Sequence, residues 1–220
     1  MARMDACFVW AVCFCFCFCA AGCGSSSPQE LSDADLPAHT TNREGVAYPT
    51  ENIGSTPGKI APNLAFSGYP DSNRDGGLKP VSFADYYDPT AAHHKLLYLS
   101  AAASWCARCA DEAREMTRLM PAFAPKGVVM IEVLVAGTTS GYGPSGAELD
   151  GWVDQHHTTW TVLADVRGRR VGGQLGLAGV PSSMLIDART MQIIHQSAGA
   201  PDDLSAYLSL GLDWIAKHPR

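Results

Sequence analysis

Two cysteines separated by two residues have the clearest chemical potential in this sequence. They lie in Trp105-Cys106-Ala107-Arg108-Cys109, which follows an apolar stretch and opens a helical pattern. The free N–H groups and the positive dipole end of a helix N-terminus favour a thiolate, the form of cysteine that attacks disulfides. Cys106 is therefore the expected nucleophile, and Cys109, one turn further on, can reach back to form a disulfide with it. The charge of Arg108 either favours the Cys106 thiolate or belongs to a solvated surface residue.

Two other uses of the cysteine pair are weaker. A structural zinc site needs four ligands, and the sequence has no second Cys-x-x-Cys. An inert structural disulfide would close so short a loop that it constrains little chain entropy. We therefore expect no metal and no other cofactor, only a redox-active disulfide between Cys106 and Cys109. The histidines lack any companion spacing to this pair: His93, His94, His156, His157 and His195.

The other six cysteines lie within the first 23 residues, in a segment typical of a signal peptide. Residues 8–21 are apolar, a run too short to cross a bilayer core of about 30 Å. Ala20-Ala21-Gly22-Cys23 is similar to a bacterial lipobox, which implies removal of residues 1–22 and lipidation of Cys23. Ordinary cleavage after a small-residue site is the alternative. Either route delivers the chain to an extracytoplasmic, disulfide-permissive compartment, on the periplasmic side.

The remainder divides into a linker and one domain. Residues 23–50 begin with Cys23 and continue as a polar stretch without periodicity, which predicts a flexible tether. Gly24 stands where many inner-membrane lipoproteins have Asp, so the resemblance points to the outer membrane. Residues 51–220 are enough for one domain with its own core. The net charge of −6 argues against nucleic acid as a partner.

The apolar pattern of residues 51–220 predicts alternating strands and helices. Strands joined by helices are expected to pair in parallel, and the last two strands to form an antiparallel hairpin. Pro121 is expected to end the first long helix. The result is an α/β fold with a central mixed sheet and helices on both faces. The strands are predicted at 60–69, 96–101, 128–135, 161–163, 184–186 and 193–196, a short strand or helix at 81–87, a Gly-rich loop at 137–146, and helices at 106–120, 147–157, 169–175 and 204–218.

With this motif and element order, the chain resembles the thioredoxin superfamily. The resemblance is strongest to membrane-tethered thiol-disulfide oxidoreductases of the TlpA/ResA type, which are redoxin-like. It rests on Trp-Cys-Ala-Arg-Cys-Ala-Asp-Glu at 105–112 and Gly-Val-Pro-Ser-Ser-Met-Leu-Ile-Asp at 179–187, and it covers about residues 54–218. It implies a thioredoxin-like three-layer fold and reduction of protein disulfides. An oxidant or isomerase of the same fold is the alternative, since sequence does not set the direction of electron flow.

The resemblance also implies roles for four neighbours of the cysteines. Pro181 corresponds to the family's cis-proline, which turns the backbone of Val180 toward the cysteines to pair with a substrate peptide. Trp105 belongs to an apolar rim around Cys106, and Glu112 corresponds to a glutamate that influences cysteine protonation. The alternatives are a trans proline at a strand start, a core tryptophan and a surface glutamate.

The sequence departs from related families at three places. Ser100 stands where thioredoxins carry a buried Asp that assists proton transfer, which leaves that task to Glu112, to water or to nothing. Ala103 stands where the peroxidase branch needs Thr or Ser, which disfavours peroxidase activity. No histidine adjoins Pro181, which disfavours a copper chaperone.

The sequence therefore predicts an extracytoplasmic, lipid-anchored thiol-disulfide oxidoreductase that acts as a monomer. Its expected partners are protein disulfides or dithiols, together with a thiol donor in the membrane. The rival from another class is a thioredoxin-like binding module whose cysteines only sense the redox state.

Overall fold

The computed structural model describes residues 36–138 and 143–219. The predicted signal peptide (1–22), Cys23, the first part of the linker and residues 139–142 of the Gly-rich loop lie outside the described residues. Within the two described ranges, no helix is long and apolar enough to span a membrane.

A seven-stranded mixed sheet forms the centre of the domain, in the order β2-β1-β5-β4-β3-β6-β7. The central strand β3 is buried along its whole length, as its uninterrupted apolar sequence predicts. Strands β3, β4 and β5 run parallel to one another, and every other pairing is antiparallel. The strands are β1 (Ala65–Tyr69), β2 (Lys79–Ser82), β3 (Leu96–Ala103), β4 (Val128–Ala136), β5 (Thr161–Ala164), β6 (Ser182–Asp187) and β7 (Gln192–Ala198).

Helices cover both faces of this sheet, which confirms the three-layer α/β arrangement. Alternate residues of β3 point to opposite faces, so Leu96 and Tyr98 join one apolar cluster while Leu97 and Leu99 join the other. The first cluster lies under α1, α2 and α4, and the second under α3 and the chain that precedes β1. The helices are α1 (Ala107–Phe123), α2 (Gly146–His156), α3 (Arg169–Leu175) and α4 (Leu204–Lys217).

The direction of β6 differs from the sequence-based expectation. Helix α3 joins β5 to β6, yet β6 pairs antiparallel with β3, Ser182 lying opposite Ala101. The connection leaves β5 at its carboxyl end and enters β6 beside the carboxyl end of β3, so it never returns to the other end of the sheet. A parallel pairing requires that return. The expected β6–β7 hairpin is present and forms the edge of the sheet.

The end of α1 also differs from expectation, because Pro121 lies inside the helix. The helix continues to Phe123, and the backbone N–H of Ala124 still bonds to Met120. A proline removes only its own donor, and here it does so within the last turn of the helix. The chain leaves through a short 3-10 turn and Gly127, whose φ of 84° is in the left-handed region.

Residues 36–50, which the sequence assigns to a linker, make specific contacts with the domain. The Asn42 side-chain amide donates a hydrogen bond to the Tyr87 carbonyl (3.0 Å), and the Tyr48 hydroxyl donates to the Ala61 carbonyl (2.8 Å). Both side chains are buried. The packed region therefore begins before residue 51.

One carboxylate joins the end of β4 to the start of α2. Ser145 caps α2 and forms a capping box with Glu148. The Glu148 carboxylate also accepts hydrogen bonds from the backbone N–H and the hydroxyl of Thr138. Thr138 and Ser145, on the two sides of residues 139–144, are thus held by the same side chain.

Candidate active site

Cys106 and Cys109 lie at the carboxyl end of the central strand and are joined by a disulfide. Strand β3 ends at Ala103, and Cys106 is the N-cap residue of α1. The backbone N–H of Cys106 donates to the Ala103 carbonyl (3.0 Å), and that of Cys109 donates to the Cys106 sulfur (3.1 Å). The first turn of α1 therefore points a backbone donor at Cys106, as the sequence predicts for a nucleophile.

The two sulfur-bearing residues differ in exposure. Cys106 retains 7% of its accessible surface, whereas Cys109 retains none. Trp105, directly before Cys106, is 63% exposed, which fits a place on the rim of the site and excludes a core position. An incoming molecule can therefore reach Cys106, next to the exposed Trp105, more readily than Cys109, which has no accessible surface.

The Val180–Pro181 turn lies beside the end of β3. Its peptide bond is cis, as the resemblance implies. Since Ser182 pairs with Ala101, the two residues before it adjoin the stretch of chain that leads to Cys106. Val180 packs against the apolar cluster that contains both cysteines.

Arg108 and Glu112 lie one turn apart on α1 but differ in exposure. The Arg108 side chain is 67% exposed, and its guanidinium is 3.9 Å from the Asp111 carboxylate. Glu112 is instead buried and accepts a hydrogen bond from the Tyr98 hydroxyl, so it is not the surface residue of the alternative interpretation. Burial raises the Glu112 pKa, while the Tyr98 hydrogen bond and the Arg108 charge oppose that shift.

Glu112 also lines a cleft of about 150 Å³ beside the start of α4. The cleft connects the buried carboxyl with the surface where Arg108 and Glu115 lie. A proton on Glu112 can therefore exchange with solvent although the residue is only 5% exposed.

Glu132, on β4, is a second buried glutamate, which the sequence-based prediction did not include. It has no accessible surface, and the Trp152 indole N–H donates to its Oε2 at 2.7 Å. Burial raises its pKa to about 8, and the charge of Glu112 adds to the rise. The available signal was a lone charged residue within the apolar run Val-Val-Met-Ile-Glu-Val-Leu-Val at 128–135.

The histidines do not join the cysteines. Within residues 36–138 and 143–219, no group of three or more His, Cys, Asp or Glu side chains could hold a metal ion. His156 is buried, with its ring centroid 4.3 Å from that of Trp152. His93 and His94 precede β3, at the sheet end opposite the disulfide, where their backbone N–H groups bind Asp88.

Comparison with protein families decides the class of this site. The family model described as AhpC/TSA matches residues 57–196. The chain belongs to the AhpC/TSA family. Family members work through a cysteine disulfide without a cofactor, and Cys106–Cys109 is such a disulfide in the matched region. Membership supports oxidoreductase activity. A search of curated proteins gave no match.

Solved structures give the fold of this AhpC/TSA member. A candidate thiol:disulfide interchange protein DsbE from Chlorobium tepidum is 22% identical, with a TM-score of 0.54, over 72% of this chain and 96% of that one. The thioredoxin domain of a Bacteroides vulgatus thiol-disulfide oxidoreductase is 14% identical (TM-score 0.53; 73% and 98% covered). A Plasmodium vivax 2-Cys peroxiredoxin is 13% identical (TM-score 0.57; 73% and 98% covered). These likenesses show the thioredoxin-like fold.

Proposed function

We propose that this protein is a thiol-disulfide oxidoreductase that reduces disulfides in other proteins. One observation carries the proposal: the Cys106–Cys109 disulfide caps α1, and of its two residues only Cys106 retains accessible surface (7%). Exposed Trp105 beside Cys106 and membership of the AhpC/TSA family support it.

The proposed reaction has two exchange steps. In the reduced protein, the Cys106 thiolate attacks a substrate disulfide, forms a mixed disulfide and releases the first substrate thiol. The Cys109 thiolate then attacks the Cys106 sulfur, which breaks the mixed disulfide and releases the second thiol. Two electrons pass from the dithiol to the substrate, and the two protons of the dithiol end on the substrate thiols.

Glu112 is the proposed proton acceptor for the second step. Cys109 must lose its proton inside the protein, where solvent does not reach it. Glu112 lies three residues further along α1, so both side chains are on the same face of the helix. Its carboxyl faces the interior and lines a cleft, and it can therefore take the proton and later release it to solvent.

The substrate chain is proposed to bind between Trp105 and the Val180–Pro181 turn. An extended peptide there could add to the backbone of Val180 as a short strand. The apolar surface of Trp105 would then cover residues beside the substrate disulfide.

The location of the protein in the cell is also a proposal. The apolar segment at 8–21 and the pattern ending in Cys23 favour export and lipidation, with the domain held on the periplasmic side. A membrane thiol donor would re-reduce the disulfide, and the protein would act as a monomer. Mass spectrometry of the mature N-terminus tests the anchor: a lipid-modified Cys23 supports it, and an unmodified N-terminus contradicts it.

Insulin reduction with dithiothreitol tests the activity. We expect the wild type to accelerate precipitation of the insulin B chain and Cys106→Ser to be inactive. Cys109→Ser should instead accumulate a mixed disulfide with insulin, which distinguishes the two roles. A wild-type rate equal to the background would contradict the proposal and favour a binding or redox-sensing module.

Two further assays separate the alternatives within the class. A reduction potential of about −270 mV would indicate a reductant, and one of about −120 mV an oxidant. Hydrogen peroxide consumption should stay at background, because Ala103 offers no hydroxyl to hold the peroxide.

A further inference from the structure

A row of polar side chains crosses the sheet beneath α1. Ser100 on β3 pairs with Ser183 on β6 and with Glu132 on β4, so the three residues stand side by side. Their neighbours at alternate positions, such as Tyr98 and Met130, belong to the apolar cluster that contains Cys109. The polar row therefore faces the same side of the sheet as the disulfide.

The buried side chain of Glu112, on α1, extends toward the strand that carries Ser100. It bonds to Tyr98, which stands two residues before Ser100 on β3. Glu112 Oε2, Glu132 Oε1 and Ser100 Oγ are all buried, and none has a hydrogen-bond partner of good geometry among the described residues. Such atoms are rare in folded proteins, and here they are grouped behind the cysteines. Ser100 is nevertheless near enough to Glu112, and Trp160 to Glu132, to oppose the rise in the pKa of each carboxyl.

The two carboxyl groups interact electrostatically. Burial is the main cause that raises the Glu132 pKa to about 8, and a negative charge on Glu112 contributes to the rise. When two carboxyl groups are coupled in this way, ionisation of one opposes ionisation of the other, and their protons leave in two separate steps.

We propose that Glu132 is a positioning residue of the redox centre: with Glu112 it forms a buried pair that retains one proton behind Cys109 at neutral pH. The inference rests on the proposed function, because it concerns the step in which Cys109 is deprotonated. Neutral Glu132 leaves Glu112 free to carry the single negative charge, and Glu112 alternates between accepting the Cys109 proton and releasing it through the cleft.

The other groups that face the pair do not neutralise it. Burial lowers the His156 pKa, so this ring is uncharged at neutral pH. Arg108 is a cation that acts on Glu112 from the surface of α1. The remaining polar groups around the pair are uncharged: Tyr98 on β3, Trp152 on α2, Trp160 before β5 and Tyr207 on α4.

This arrangement predicts a change in alkaline solution. Above about pH 8 Glu132 also ionises, and two negative charges then oppose a third on the Cys109 sulfur. Glu132→Gln keeps the shape of the side chain and an oxygen that accepts from Trp152, but it cannot ionise. The ratio of its insulin-reduction rate to that of wild type should therefore rise by about threefold or more between about pH 7 and pH 9.

Carbon-13 NMR of the glutamate carboxyl groups measures the coupling between Glu112 and Glu132 without requiring any enzymatic activity. In the wild type, Glu112 should titrate in two steps, and in Glu132→Gln in one. Trp152→Phe is the matched control, since it removes the donor that favours the ionised form of Glu132. It should move the alkaline step to higher pH rather than abolish it.

The outcomes separate the two proposals. If wild type reduces insulin and Glu132→Gln has the same pH profile and the same Glu112 titration, Glu132 has no positioning role. If wild type is inactive, the proposed function fails, and the NMR titration alone shows whether the pair is coupled. Should Glu132→Gln not fold, a wild-type titration in which Glu132 ionises at the pH of a solvated glutamate overturns the inference.

Discussion

At the scale of single residues, the two cysteines occupy different environments. The Cys106 sulfur accepts a hydrogen bond from the helix backbone and its residue retains 7% of its accessible surface, whereas Cys109 retains none. A helix N-terminus stabilises the thiolate that forms at its first residue. The disulfide therefore has one accessible end, and exchange with a partner must begin there.

Alkylation of the reduced protein should reveal this difference. With limiting iodoacetamide at neutral pH, we expect Cys106 to react at least roughly tenfold faster than Cys109, because it is accessible and ionises more easily. Peptide mass spectrometry of the quenched mixture measures the two extents. Equal labelling of both cysteines in the folded protein would contradict the assignment.

The Tyr98 hydroxyl should set the acid limit of activity. It donates to Glu112 and opposes the rise in the pKa of that carboxyl. Tyr98→Phe should therefore raise the Glu112 pKa and move the acid limb of the insulin-reduction profile to higher pH. Tyr86→Phe is the control. It removes a similar buried hydrogen bond, the one between Tyr86 and Thr161, from a tyrosine in the apolar cluster on the other face of the sheet. An equal shift in both variants would exclude a specific role for Tyr98.

The cysteines and Pro181 could be found from sequence, because their motifs are local. The role of Glu132 could not, since its burial depends on Trp152, which a distant helix brings to it. For Glu112 the sequence left burial open, because most glutamates are solvated and no local pattern marks one whose partner, here Tyr98, lies on another element. Burial of an ionisable group is a tertiary property, and the pKa follows from it.

At the scale of elements, α4 packs closely on the sheet through a glycine. A Cβ atom built on Gly211 would lie 2.7 Å from a methyl carbon of Leu96 and 3.2 Å from one of Leu185. Both leucines are buried, so neither can move into solvent. The absence of a side chain at Gly211 is therefore what lets α4 approach β3 and β6.

Two glycine substitutions should have opposite effects. Gly211→Ala should destabilise the protein by about 1–2 kcal/mol, because overpacking outweighs the gain in helix propensity. Gly151→Ala, on the exposed side of α2 with no atom within 4 Å of the new Cβ, should stabilise it by up to about 1 kcal/mol. Urea denaturation measures both. Equal stability of the two variants would contradict this packing.

Apolar periodicity predicted most elements closely, and α3 has the expected bounds, Arg169–Leu175. The direction of β6 was predicted wrongly because periodicity reports which residues are buried and not which end of the sheet a connection reaches. The continuation of α1 past Pro121 was missed for a similar reason, since the cost of a proline depends on how much helix follows it.

At the scale of the whole molecule, the buried carboxyl groups make stability depend on pH. The folded protein retains a proton on Glu132 up to about pH 8, whereas an unfolded glutamate releases it near 4.5. Between these values the folded state binds more protons, so stability must fall as the pH rises. Glu112, whose pKa is also raised, adds to this trend.

Chemical denaturation between about pH 5 and pH 8 should show this loss. We expect the wild type to lose on the order of a few kcal/mol across that range, and Glu132→Gln to lose distinctly less. Glu44→Gln, which removes an exposed carboxyl, serves as the control and should follow the wild type. A stability that rises with pH through this window would show that Glu132 is not held protonated by the fold.

The hydrogen bonds from Thr138 and Ser145 to the Glu148 carboxylate affect where this fold can accept changes in chain length. Strands β3 and β4 are parallel, so Thr138, where the segment from Thr138 to Ser145 begins, lies at the end of the sheet where the disulfide lies. Because the ends of the segment are already fixed, each doubling of its length would add only about 0.6 kcal/mol of closure entropy. New residues can therefore be inserted between Thr138 and Ser145 at little cost to folding, which makes this interval a natural place for partner preference to diverge.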